Sequence, residues 1–137
     1  MNDKRMSAPS AIDAARAFVE AVNHRNSEAL AAQMTEDHAF VDGLGATIEG
    51  RQRVKAAFEA YFRMIPEYAI AIEETFSEGS IVVMLGSAGG TYSRDGTLRP
   101  DNHWTTPAGF RASIREGLVA EWRVYADNEP IRRIMRR

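Results

Sequence analysis

The stretch RQRVKAAFEAYFRMIPEYAIAIEETFS, residues 51–77, decides the fold class, because the hydrophobic period changes inside it. Before Pro66, the apolar residues Val54, Phe58, Tyr61 or Phe62, and Ile65 recur at helical spacing and form one stripe. Pro66 stops that helix, since its ring cannot continue the backbone hydrogen bonds. Beyond it, Tyr68, Ile70 and Ile72 alternate with smaller or charged residues, which is the period of a half-buried strand. The chain therefore turns from helix to sheet at one proline.

Working outward, the N-terminal side is helical. In SAPSAIDAARAFVEAVNHRN, residues 7–26, Ile12, Ala15, Phe18 or Val19, and Val22 share a face, and Ser7 or Ser10 is placed to cap the start. SEALAAQM, residues 27–34, reads as a shorter helix capped by Asn26 or Ser27. HAFVD and ATIEG, residues 38–42 and 46–50, read as two short extended pieces. On the C-terminal side the strands are long. SIVVMLGSAGGTY, residues 80–92, carries glycines that suggest a bend or bulge. SRDGT forms a hairpin turn with Asp95-Gly96 at its tip. HWTTPAGFRASI and LVAEWRVYA, residues 103–114 and 118–126, follow, and simple alternation puts Leu118, Ala120, Trp122, Val124 and Ala126 on one face. Helices segregated from an antiparallel meander make an α+β domain, here residues 10–130, between a tail at 1–9 and a basic tail at 131–137. A strongly curved sheet wrapped around a helix leaves room for an apolar pocket.

Composition narrows the function. At 137 residues the chain suits one domain with a real core. A net charge of −2 gives no global electrostatic case for nucleic acid, and the basic run PIRRIMRR lacks interleaved aromatics. With no cysteine there is no thiolate metal site, disulfide or thiol nucleophile, which fits a cytoplasmic location. No apolar run approaches a membrane span, and the first residues have no signal-peptide core. His24, His38 and His103 have no metal-site spacing, and GSAGGT lacks the lysine and helix of a phosphate loop. No metal, cofactor, nucleic-acid or membrane partner is expected.

The segments FVEAVNHRNSEALAAQM, FVDGLGATIEGRQRVKAAF and GLVAEWRVYAD, in this order and spacing, resemble the nuclear-transport-factor-2-like superfamily, in its SnoaL-like and ketosteroid-isomerase-like branch. The resemblance covers about residues 10–130. It implies a cystatin-like α+β barrel: a cone-shaped, curved antiparallel sheet wrapped around three N-terminal helices, with a buried apolar pocket and often a homodimer. It also implies a range of activities, from isomerase, cyclase, dehydratase and epoxide hydrolase to none, so fold alone does not give function. Asp42 falls where ketosteroid isomerases keep their aspartate base. Their oxyanion tyrosine falls on Phe18, the supporting tyrosine near Phe58, and the second acid on Ala108 or Gly109, none of which can donate through a side chain. The charged set of the limonene epoxide hydrolases falls on the uncharged strand VVMLGSAGG and on Val124, and their water-binding asparagine falls on Asp42.

The candidate site residues follow from both readings. Asp42 ends an apolar strand before Gly43, where it is either a turn residue or a base at a pocket rim. His103 is a second acid–base candidate. Counting back from Phe110, Ala112 and Ile114 as inward, Trp104 and Thr106 face the core and His103 faces out; one bulge near Pro107 reverses this. Asp127, closing the last strand, is the third polar candidate. Phe18, Phe58, Tyr61 and Met84 are expected to pack the core and partly touch a ligand. Trp104, Phe110, Trp122 and Val124 are expected on the inner face of the sheet. The leading expectation is a cofactor-independent acid–base enzyme acting on an apolar or aromatic carbonyl compound. The alternative is a binding or dimerisation module of the same fold.

Overall fold

The computed structural model describes residues 10–137; the expected tail at 1–9 lies outside them. The four helices are α1 (Ala11–Asn23), α2 (Ser27–Ala32), α3 (Arg51–Met64) and α4 (Glu129–Met135). The six strands are β1 (Met34–Val41), β2 (Thr47–Glu49), β3 (Ala69–Glu78), β4 (Ile81–Thr91), β5 (His103–Arg115) and β6 (Leu118–Ala126). They form one curved sheet in the order β2-β1-β6-β5-β4-β3. The sheet is mixed rather than purely antiparallel, because β1 runs parallel to β6. It is also unclosed, with β2 and β3 at its edges.

Local chemistry explains where the helices begin and end. Ser10 Oγ accepts from the Asp13 N–H at 3.1 Å and starts α1. Asn26 Oδ1 accepts from Ala29 at 3.0 Å and starts α2. Helix α3 ends at Met64, just ahead of Pro66. The apolar stripe of α1, with Phe18 and Val22 fully buried, packs against the inner face of the sheet in one core with Val54, Phe58, Met84, Phe110 and Trp122.

Three features depart from simple alternation, and each has a local cause. On β3, Ile72 pairs with Gly86 but Glu74 pairs with Leu85, so Glu73 is an extra residue and the strand bends there. The bulge turns Thr75 to the inner face and leaves Phe76 outside, 56% exposed. On β6, Ser113 pairs with Glu121 but Ile114 pairs with Val119, so Ala120 is extra. Val119, rather than Leu118 and Ala120, therefore shares the buried face with Trp122. The β4–β5 connection is not a tight Asp95-Gly96 hairpin either. It runs from Tyr92 to a short 3₁₀ turn at Pro100–Asn102, and Gly96 takes a left-handed conformation in it. The stretch 131–137 is likewise not simply a tail: α4 buries Ile131 and Ile134 against Ile65 and Trp104.

Gly86 permits the bend. A Cβ there would lie 1.8 Å from the carbonyl oxygen of Ala71, a backbone atom that cannot swing aside. Gly86→Ala should therefore destabilise the protein by about 1–3 kcal/mol, the usual cost of forcing atoms into a filled site. Urea unfolding checks this, and an unchanged midpoint would contradict the close approach.

His38 braces the other side of the sheet. β1 shifts register against β6 between Met34 and Ala39. Within that gap, the His38 Nδ1–H donates to the Val119 carbonyl at 2.7 Å, while the Val119 N–H donates to Gln33 at 2.7 Å. The ring is fully buried against Phe18, and its Nε2 has no partner among the described residues. Burial lowers its pKa below the ordinary 6.5 because the cation would lose its hydration. As pH falls, the unfolded chain then takes up this proton before the folded one does. Stability should decline below about pH 6.5, with a slope from this group of up to about 1.4 kcal/mol per pH unit. His38→Gln should flatten that slope when unfolding is measured between pH 5 and 8. An identical slope in the variant would exclude His38 as its source.

Candidate functional site

Between the curved sheet and the helices lies a cavity of about 340 Å³, near the lower end of the range of roughly 300–1,000 Å³ usual for small-molecule sites. Helix α3 supplies Ala57, Phe58 and Tyr61 to one wall. The sheet supplies Phe40, Ala88, Trp104, Thr106, Trp122 and Val124 from the opposite side. Tyr68 and Ile70, where the chain enters β3, close a third side. Both tryptophans of the chain are thus cavity residues. One end is different in kind: it is formed by Asp42, Gly43, Ala126 and Asn128, at the exits of β1 and β6.

Asp42 is a turn residue. Its Oδ1 accepts from the N–H groups of Leu44 and Ala46 at 2.9 and 3.0 Å, and its own N–H donates to the Ala46 carbonyl at 2.9 Å. This is an Asx turn that orients the carboxylate. The residue nevertheless lines the cavity, and Oδ2 has no hydrogen-bond partner among the described residues. Gly43 allows the β6 exit to come close: a Cβ there would lie 3.2 Å from the Ala126 carbonyl oxygen and 3.4 Å from Asn128 Nδ2.

The two other polar candidates face away from the cavity. The β4–β5 register runs without a shift from Ile81↔Ser113 to Thr91↔His103, so no bulge at Pro107 reverses the parity. Trp104 and Thr106 are buried on the inner face, and His103 points outward. Its Nδ1 donates to Thr91 Oγ1 at 3.1 Å, and the Thr91 hydroxyl in turn donates to Glu67. Asp127 is exposed, and its Oδ1 accepts from the Glu129 N–H at 2.9 Å.

Of the expected lining residues, Phe58, Tyr61, Trp104, Trp122 and Val124 do line the cavity. Phe18, Met84 and Phe110 are buried beneath it. Phe18 and Phe110 both pack on Trp122, with ring centroids at 4.6 and 5.3 Å. They fix the indole that forms the floor instead of touching the space above it. Helix α1 reaches the cavity one turn later, at Val22.

Asn128 is the polar residue that sequence reasoning did not pick out. Its signal was available, because continuing the period-two series Trp122, Val124, Ala126 by one step lands on it. Tyr68 was also missed as a lining residue. Its ring meets Tyr61 edge-on at 5.0 Å. Burial pushes the Tyr61 phenol up to about 12 and raises Tyr68 as well, so both remain neutral hydroxyls at physiological pH. The cavity therefore offers aromatic surface, neutral hydroxyls, one carboxylate and one amide. Among the described residues, no three acidic, histidine or cysteine side chains gather as a metal site would need. No helix among them is long and apolar enough to cross a membrane.

Comparison with known proteins places this geometry in a family. Solved structures align along nearly the whole chain at low identity. A protein from Shewanella denitrificans described as a SnoaL-like polyketide cyclase has a TM-score of 0.80 at 16% identity, covering 93% of this chain and 98% of its own. A protein of ketosteroid isomerase-like fold from Catenulispora acidiphila, solved with trimethylamine, has a TM-score of 0.75 at 20% identity, covering 91% of each chain. An epoxide hydrolase of M. tuberculosis, of the LEH-like kind, has a TM-score of 0.74 at 16% identity, covering 90% of this chain and 86% of its own. At these identities the likeness establishes the fold and no more. No curated protein matches. The SnoaL-like domain matches residues 15–122, most of the chain. The protein therefore belongs to the SnoaL-like domain family, a nuclear-transport-factor-2-like fold whose members are often isomerases, cyclases or epoxide hydrolases.

Proposed function

We propose that this protein is a cofactor-independent acid–base enzyme that binds a small, flat, apolar carbonyl compound and moves a proton at the carbon beside the carbonyl, with Asp42 as the base. The observation that carries this reading is the carboxylate at one end of a largely apolar cavity, with one oxygen held by its turn and the other without a partner among the described residues. A carboxylate fixed by its turn beside an apolar cavity is positioned to act as a general base towards a carbon acid bound there. The relatives' described activities, polyketide cyclisation and epoxide hydrolysis, are reactions that general acid–base groups can drive. The absence of cysteine fits a reducing, cytoplasmic setting.

The second reading is ligand binding without chemistry. It is favoured by Phe18, which stands buried where an oxyanion tyrosine is expected. The readings separate on a simple carbon acid. The methyl protons of 2-acetylnaphthalene should exchange with deuterium oxide in the presence of the protein, as followed by proton NMR. Asp42→Asn should slow this by about 10²–10⁴-fold, the usual worth of a positioned base. The substitution keeps an oxygen for the Leu44 and Ala46 N–H groups, so the turn survives and only basicity is lost. Undiminished exchange in the variant removes Asp42 as the base, and binding without exchange in the parent protein favours the second reading.

The outer face of the sheet supports a homodimer. Phe76, Leu85 and Tyr125 are 56%, 39% and 54% exposed on neighbouring strands, and Leu85 and Tyr125 flank the side-chain-free Gly109. An apolar patch on the outer face of a sheet is the kind of surface a second copy covers. Sedimentation should give twice the chain mass, and Leu85→Asp should give the chain mass. A parent protein that sediments as a monomer at micromolar concentration contradicts the dimer.

A further inference from the structure

We infer that the Asn128 side-chain amide is the hydrogen-bond donor that holds the substrate's carbonyl oxygen opposite Asp42, so that this end of the cavity selects ketones over hydrocarbons of the same shape. The inference rests on the acid–base reading and supplies the oxyanion donor that reading lacks.

Three observations carry it. First, Asn128 lines the same end of the cavity as Asp42. Its Nδ2 is close to Gly43, the residue after Asp42: a Cβ on Gly43 would lie 3.4 Å from it, in ordinary van der Waals contact. Second, Asn128 is free of the task its position normally imposes. It stands at the start of α4, where asparagine usually accepts a backbone N–H, yet its side chain makes no capping bond. Pro130, two residues on, has no N–H to offer, and the exposed Glu129 N–H is taken by Asp127. The division of labour between these adjacent residues leaves Asp127 for structure and the Asn128 amide for the cavity. Third, the amide is carried on a fixed support. β6 runs into it from Trp122 and Val124, and α4 is anchored behind it by buried Ile131 and Ile134.

The chemistry that follows is balanced. Asp42 takes a proton from the carbon next to the carbonyl, the C–H electron pair becomes the new C=C bond, and the carbonyl π pair moves to oxygen. Negative charge grows on that oxygen, and an N–H donated by Asn128 is stronger to the enolate than to the ketone. That difference is what lowers the barrier. Return of the proton to carbon closes the cycle and leaves Asp42 ionised. The rest of the ligand, a flat ring system, lies among Phe58, Tyr61, Trp104 and Trp122.

The experiment uses two probes of matched shape, 2-acetylnaphthalene and 2-isopropenylnaphthalene, with binding read from the fluorescence of the two cavity tryptophans. The parent protein should bind the ketone about tenfold more tightly than the hydrocarbon, as one good hydrogen bond allows. Asn128→Leu, which keeps the branching at Cγ in a somewhat larger side chain and removes the donors, should erase that preference without weakening hydrocarbon binding. Its ketone exchange should slow by about 10²–10³-fold. Asn128→Asp retains the size and polarity needed for folding but offers an acceptor in place of the donor, and it should lose the ketone preference too. A parent protein without ketone preference overturns the inference, and so does Asn128→Leu with preference and exchange both intact. Failure of the base reading looks different: preference present and lost in Asn128→Leu, but no exchange in any form of the protein.

Discussion

The close approach of β3 to β4 at Gly86 shapes everything else. The bulge at Glu73 and the bare Cα of Gly86 let these two strands bend together, with the Ala71 carbonyl lying where a side chain would otherwise be. A flat sheet would lie against α1 and α3 along its whole inner face and leave no hollow. The bent one shares a core with α1 at Met84, Phe110 and Trp122 and lines the cavity at Ala88, Trp104 and Thr106. Buried packing and open cavity are therefore successive segments of the same strands. The division explains why Phe18 and Phe110 support Trp122 from below while Trp122 itself faces the open space.

That same geometry decides which polar groups can take part in chemistry. A strand offers its two faces to two different environments, and a single unshifted register from Ile81 to Thr91 commits His103 to the outside. There it joins Thr91 and Glu67 in a hydrogen-bonded chain that ties the loop before β3 to the end of β4 and the start of β5. Asp127 is likewise committed by the turn it caps. What remains at the cavity is a small set: a carboxylate oriented by its own turn, an amide with no structural duty, and neutral hydroxyls. A site of so few polar groups in apolar surroundings holds an apolar ligand and keeps water away from it.

Much of this was legible in the chain, and the reasons differ by element. The period change across Pro66 carries the α+β class without any structure, since a helix stripe and a strand face cannot be confused over that length. Ser10 and Asn26 announce their helices by the capping chemistry of their side chains. The parity count from Phe110 to Trp104 also holds, because no bulge interrupts it. Bulges are what alternation cannot see. The extra residue at Ala120 buries Val119 instead of Leu118, and the one at Glu73 exposes Phe76, and neither has a glycine or proline to mark it on its own strand. The parallel pairing of β1 with β6 was hidden for another reason, as it joins segments far apart in the chain. Asn128 was missed because an Asp-Asn pair before a proline reads as a turn, and which of the two caps the turn depends on where the chain is heading.

The account comes down to one arrangement: a flat carbonyl compound lying in the aromatic cavity with its oxygen towards Asn128 and its neighbouring carbon towards Asp42. A crystal structure of the protein soaked with 2-acetylnaphthalene tests it most directly. The account predicts the ketone oxygen within hydrogen-bond distance of the Asn128 amide, about 2.7–3.2 Å, the methyl carbon against the free oxygen of Asp42, and the rings between Phe58 and Trp122. A ligand seated with its carbonyl at the opposite end, beside Tyr61 and Tyr68, or a cavity closed by its own side chains, would contradict it.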